Sequence, residues 1–237
     1  VDADPLSFDA VILAGGRSAR LGGVPKQSLT YDGDTLLRRS VAAAGGARAI
    51  AVVGPGPGNM PAGILSCREE PPFGGPAAAI AAGLAAVQDL SVVGGAAAGD
   101  ATGGCRPRLT LVLACDMPNV RHAVAALRKA LEAGGPAVAA DGVVAVSQDG
   151  RRQPLVGFYS TAALQRSVAE LAAKGSLING SVGALLASLD LQPVAVPAGS
   201  TADVDTWDDA AALGVAGPDP LSGSRSNAAA DDLGGRA

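Results

Sequence analysis

The chain has 237 residues, of which 48% are hydrophobic, 17% charged and only 3% aromatic. That length suits one large α/β domain, and a net charge of −4 lacks the basic excess that non-specific binding to nucleic acid or to a membrane surface requires. Cys67, Cys105 and Cys115 have no metal-ligand spacing, and their odd number implies free thiols in a reducing compartment. There is no basic segment followed by an apolar leader, and no apolar run approaches the roughly 18 residues of a membrane span. The expectation is a soluble, cytoplasmic protein.

Residues 8–14 form a short apolar run ended by Gly15-Gly16, which reads as a buried strand. Asp34 or Thr35 can cap a helix running to the Gly45-Gly46 stop. A second strand is expected over residues 49–53, closed by a Gly/Pro-rich segment. Pro76 then suits the first turn of an alanine-rich helix. The glycine- and alanine-rich stretch between Gln88 and Pro107 reads as a flexible loop.

Residues 109–114 are a buried strand that stops at Cys115-Asp116. Beyond it the pattern predicts a helix over 123–131, strands over 137–140, 143–146 and 155–159, and a helix over 162–173. A short helix over 184–189, a strand over 193–196 and a helix over 207–213 complete the order. Strands alternating with helices predict a three-layer, doubly wound α/β fold with a mainly parallel, Rossmann-like sheet. The domain is expected to span residues 1–215, with 216–237 a disordered tail rich in Pro, Ser, Gly, Asn and Asp.

The stretch "LAGGRSARLGGVPK" places Gly15, Gly16, Arg20 and Lys26 directly after the first strand. Glycines let backbone N–H groups approach phosphate oxygens, and the basic side chains neutralise them. The spacing is neither G-x-x-x-x-G-K-[ST] nor G-x-G-x-x-G. Asp116 stands where ligands meet open α/β sheets, outside a strand's carboxyl end. A cap for the following helix is the alternative there; the glycine loop in the same chain favours a Mg2+ ligand. Either Asp203 or Asp205 can cap the last helix; alternatively, since i and i+2 carboxylates face the same way, one of them completes the metal site, with Asp205 preferred.

"LAGGRSARLGGVPK" resembles the signature loop of nucleotidyltransferases with a GT-A-like fold, and within them the molybdenum cofactor guanylyltransferase (MobA-like) group. "REEPPFGGPAAAIAAGL", "LVLACDMPNV" and "ADVDTWDDAAAL" resemble three further segments of that family, in order. The resemblance implies that Gly15, Gly16, Arg20 and Lys26 hold a triphosphate and that Leu13 and Ala14 lie near base or ribose. It also implies that Asp116 binds magnesium. The loop containing Glu69, Glu70 and Gly75 would lie against the base, with Glu70, or Glu69, the acceptor for guanine's donors. Arg152, in "RRQP", resembles a residue near the acceptor substrate.

The expected reaction is GMP transfer from GTP to molybdopterin or its molybdenum-loaded form, with transient contact with cofactor-assembly proteins. Two departures stand out: Pro25 replaces the usual Asp before the loop lysine, and the closing asparagines are Asp203 and Asp205. "PKQSL" is closer to the isoprenoid cytidylyltransferases, so a cytidylyltransferase acting on the pterin or on a sugar or polyol phosphate is one rival. A catalytically silent nucleotide-binding partner domain is the other; intact Arg20, Lys26 and Asp116 speak against it. His122, the cysteines and Trp207 carry no partner signature and read as surface or packing residues.

Overall fold

The computed structural model describes residues 6–16, 18–55, 63–97, 109–134 and 141–218. The strands are β1 (Phe8–Leu13), β2 (Thr30–Tyr31), β3 (Asp34–Thr35), β4 (Ile50–Val53), β5 (Leu65–Cys67), β6 (Leu109–Ala114), β7 (Gly142–Val146), β8 (Arg152–Ser160) and β9 (Leu191–Ala195). The helices are α1 (Leu36–Ala43), α2 (Gly75–Ala97), α3 (Val120–Glu132), α4 (Thr161–Ala173), α5 (Val182–Leu186) and α6 (Trp207–Leu213).

Seven strands form one sheet in the order β5-β4-β1-β6-β8-β7-β9, and β2 and β3 pair separately. The pairings β1–β4, β1–β6, β4–β5 and β7–β9 are parallel, whereas β8 runs antiparallel to both β6 and β7. The sheet is thus mixed and mainly parallel, as expected of alternating strands and helices. β1 is buried along its whole length because its side chains serve both faces. Phe8, Ala10 and Ile12 pack with α1 and α3 residues such as Leu37 and Leu127. Val11 and Leu13 pack with Ile80 of α2, Leu164 of α4 and Leu185 of α5. Those two clusters make the three layers.

A third, smaller cluster joins Leu21, Leu29 and Leu36 to Val204, Ala210 and Val215. It ties the loop after β1 to the segment around α6. The tie is reinforced where Thr30 N donates to Ala216 O at 2.9 Å and Ala216 N to Thr30 O at 2.8 Å. Ala216 therefore belongs to the packed body, although the sequence puts the start of a tail there. Residues 219–237 lie outside the described residues.

The glycine- and alanine-rich stretch is the main local difference from expectation. α2 continues through it to Ala97, because alanine has the highest helix propensity and isolated glycines only weaken a helix. The remainder of that stretch, Cys105, and the strand expected over 137–140 lie outside the described residues. Thr35 caps α1, its side chain accepting from Arg38 N. The β7–β8 pairing jumps from Val144↔Gly157 to Ala145↔Gln153, leaving three residues of β8 bulged. The buried Tyr159 donates its O–H to Pro154 O at 2.8 Å beneath that bulge, and Leu155 reaches the cavity described next.

Candidate active site

The chain passes from β1 outward to β4 and β5, then returns across β1 to β6. The carboxyl ends of β1 and β6 therefore flank a topological switch point, where open α/β sheets leave a crevice. A cavity of about 320 Å³ lies there. Leu13, Gly15, Gly16, Lys26, Ala114, Cys115 and Asp116 line one part, and Val53, Glu69, Phe73, Gly75, Pro76 and Ala79 another, with Leu155 also on the wall.

The glycine loop is held close to its neighbour. Ala14 N donates to Val53 O at 2.8 Å, and a Cβ on Gly54 would stand 2.8 Å from Ala14 C and from Gly15 N. Gly54 also has φ +150°, a backbone region that L side chains rarely adopt. Ala14 is buried beneath the loop and does not line the cavity.

Asp116 makes no cap bond; Asn119 stands at the N-cap of α3, without a side-chain cap bond. Instead Asp116 Oδ2 accepts from Lys26 Nζ at 3.0 Å. Its backbone carbonyl accepts from Val204 N at 3.0 Å, which docks the closing segment beside it. Val204 is fully buried, so its neighbours Asp203 and Asp205 project to the opposite side, towards Asp116. The capping alternative for this pair does not hold: Thr206 caps α6, in a capping box with Asp209. Arg39 fixes the turn from the other side, donating from Nε to Pro118 O at 2.8 Å.

Carboxylate oxygens of Asp116, Asp203 and Asp205 lie within 4.8 Å of one another. Hard oxygen donors in such number suit a small divalent cation such as Mg2+. Lys26 Nζ bonds both Asp116 and Asp205, while Arg20 Nη1 stands 3.9 Å from Asp205 Oδ2. Burial pulls the Lys26 pKa down, but the Asp116 charge and bonds to both carboxylates outweigh it and leave it raised. Burial, then the charges of Asp116 and Asp205, push the Asp203 pKa up. Cys115 is buried, and burial with the Asp116 charge drives its thiol pKa far up. It stays protonated and is no nucleophile.

At the other end of the cavity the structure selects Glu69 rather than Glu70. Glu70 is exposed and does not line the cavity, whereas Glu69 is 8% exposed and does. Glu69 Oε1 accepts from Phe73 N at 3.0 Å, and its buried Oε2 has no hydrogen-bond partner. Arg152 is exposed on β8 and lies outside the cavity wall. Phe73 and Leu155 carry no signal in the sequence that marks them. Asp203 is a candidate there beside the preferred Asp205, and the structure brings both to Asp116.

Residues 10–192 match the family described as MobA-like NTP transferase domain. Among solved structures, the chain is similar to molybdopterin-guanine dinucleotide biosynthesis protein A from Archaeoglobus fulgidus, with TM-score 0.58 and 17% identity over 86% of this chain and 96% of that one. It is similar also to Rv0371c from Mycobacterium tuberculosis, with TM-score 0.58 and 24% identity over 88% and 97%. For 2-C-methyl-D-erythritol 4-phosphate cytidylyltransferase from Thermus thermophilus the values are 0.52 and 22%, over 88% and 97%. At these identities the structural likeness speaks for the fold. No curated protein matches the sequence. Among the described residues no helix is long and apolar enough to cross a membrane.

Proposed function

The chain belongs to the MobA-like NTP transferase domain family and is a nucleotidyltransferase, and on that premise we propose that it transfers GMP from GTP to molybdopterin or its molybdenum-loaded form. Pyrophosphate is the second product and Mg2+ the metal. The observation that carries guanine is Glu69: its side chain lines the cavity, and one of its carboxylate oxygens is buried without a hydrogen-bond partner. A buried acceptor left unmade costs free energy, and guanine's N1–H and N2 amino group present paired donors to such an oxygen.

Parallel strands lie about 4.8 Å apart, so Glu69, just past β5, is two strand spacings from the glycine loop after β1. The base then lies over the ends of β4 and β5 and the triphosphate over β1 and β6. An acceptor phosphate is largely ionised near neutral pH, its second pKa being about 6, and needs no general base. Its oxygen forms a bond to the α-phosphorus, and the bond from that phosphorus to the departing pyrophosphate breaks. Lys26, Arg20 and the loop amides position the phosphates and offset their negative charge. Asp116, Asp203 and Asp205 would hold Mg2+, which when bound neutralises charge on the triphosphate.

The test is kcat/KM for GTP, CTP and ATP with molybdopterin, in the parent, in Asp116→Asn and in Glu69→Gln. GTP should be preferred, and Asp116→Asn should abolish most turnover while keeping the fold. Glu69→Gln should erode the guanine preference by roughly tenfold, within the about 1–3 kcal/mol of an unmade buried bond. A parent that prefers CTP overturns the guanine reading in favour of a cytidylyltransferase, the activity that "PKQSL" resembles.

A further inference from the structure

Phe73 is 47% exposed, in a chain with three phenylalanines of which the other two, Phe8 and Phe158, are fully buried. It also adopts φ 63°, a left-handed conformation that is rare for a bulky side chain. Hydrogen bonds of Phe73 and of its neighbour Gly74 fix the turn. The Phe73 N–H donates to Glu69 Oε1 at 3.0 Å, Gly74 N donates to Pro71 O at 3.1 Å, and Asn179 N donates to Gly74 O at 2.6 Å. The Arg68 guanidinium lies over the ring, 5.5 Å from its centroid. Hydrophobic burial therefore does not explain the placement. A ring kept on the cavity wall, against solvent and against backbone preference, is the signature of a ligand surface.

We infer that Phe73 is a stacking platform for the nucleobase, with Arg68 backing the ring. The inference rests on the reading of this cavity as a nucleotide site. The carboxylate that fixes the Phe73 backbone is the one whose second oxygen is unpartnered. One side chain thus couples the position of the ring to the polar edge that would read the base. Stacking holds any base by its face, and Glu69 sorts bases by their edges. Phe73 consequently sets affinity for nucleotides as a class, not the choice among them. Arg68 adds cationic character behind the ring, which strengthens contact with electron-rich heterocycles.

The experiment measures binding of GTP, CTP and inorganic tripolyphosphate by calorimetry to the parent, Phe73→Ala and Phe73→Tyr. Base–aromatic stacking predicts that Phe73→Ala weakens the nucleotide the parent binds best by between about fivefold and a hundredfold. Tripolyphosphate binding should be unchanged, and Phe73→Tyr should bind as the parent does. Because loop distortion could mimic this, a second measurement uses Phe73→Trp in a Trp207→Phe background, which leaves one tryptophan. Its emission should be quenched by nucleotide and not by tripolyphosphate. Unchanged nucleotide affinity in Phe73→Ala, or equal losses for tripolyphosphate and nucleotide, or no quenching, overturns the stacking role. A parent that binds neither GTP nor CTP overturns the nucleotide-site reading itself, a failure visible before any variant is made.

Discussion

Replacing Lys26 by methionine removes the cation at the centre of the acidic cluster while keeping a straight apolar stem of similar length. The Lys26 and Asp116 side chains are only 19% and 21% exposed, and Asp205 is 49% exposed. Without the ammonium, three carboxylates whose oxygens lie within 4.8 Å face one another with the exposed Arg20 guanidinium, 3.9 Å from Asp205, as the remaining described counter-charge. At an effective dielectric of about 20, each such contact between unit charges is worth roughly 3–4 kcal/mol of repulsion. Solvent around the half-exposed Asp205 screens most of that. A net loss of about 2 kcal/mol is expected, comparable to one charge-assisted hydrogen bond to a part-buried group. For a chain of this size that lowers Tm by roughly 4–8 °C in chelator. The same ammonium competes with any divalent cation for Asp116 and Asp205. Lys26→Met should therefore bind Mn2+ or Mg2+ without nucleotide at about tenfold lower concentration, and recover its Tm on saturation. Turnover should fall regardless, because the phosphates lose a counter-charge. Scanning calorimetry in chelator and across a cation titration decides it. An unchanged Tm in chelator, or a cation midpoint that moves upward, would refute the idea that Lys26 occupies the cation's place in the free chain.

Asp203→Asn should raise Tm in chelator at pH 7 and weaken cation binding. The folded chain holds the Asp203 proton more tightly than the unfolded one, owing to burial and then to Asp116 and Asp205, so the ionised form opposes folding. The Tm gain should hold above the raised pKa and vanish as pH falls below the ordinary carboxylate value of about 3.9; a variant less stable than the parent at pH 7 contradicts this. Gly54→Ala forces a Cβ to 2.8 Å from Ala14 and Gly15 backbone. It should cost roughly 1–3 kcal/mol of stability and weaken tripolyphosphate binding measurably, and normal values of both would show that the two loops move independently.

β1 and β6 were legible because each is a predominantly apolar run, interrupted by one polar residue and followed by glycine or by Cys115-Asp116, the pattern of a strand buried on both faces. That Gly15, Gly16 and Lys26 line one cavity was legible for a related reason: they are close in sequence. The three-way ion pair was not, since the partners of Lys26 lie 90 and 179 residues away. The choice of Glu69 over Glu70 depends on how the chain turns through Pro71 and Pro72, which no periodicity reports. β5 is three residues long with only partial burial, too short to leave an alternation. α2 runs into the stretch expected as a flexible loop because that stretch, though glycine-rich and without periodicity, is also rich in alanine and still favours helix.

The small cluster of Leu21, Leu29, Leu36, Val204, Ala210 and Val215 makes the completeness of the acidic cluster depend on a segment that contributes little to the main core. Both principal clusters draw almost entirely on residues before Val196, whereas Asp203 and Asp205 are seated by Val204 and by the Thr30–Ala216 bridge. Loosening that seat would leave the sheet and its two helical layers packed, with Asp116 the one carboxylate of the three still beside the glycine loop. The closing segment is thus a clasp on the acidic cluster rather than a wall of the core.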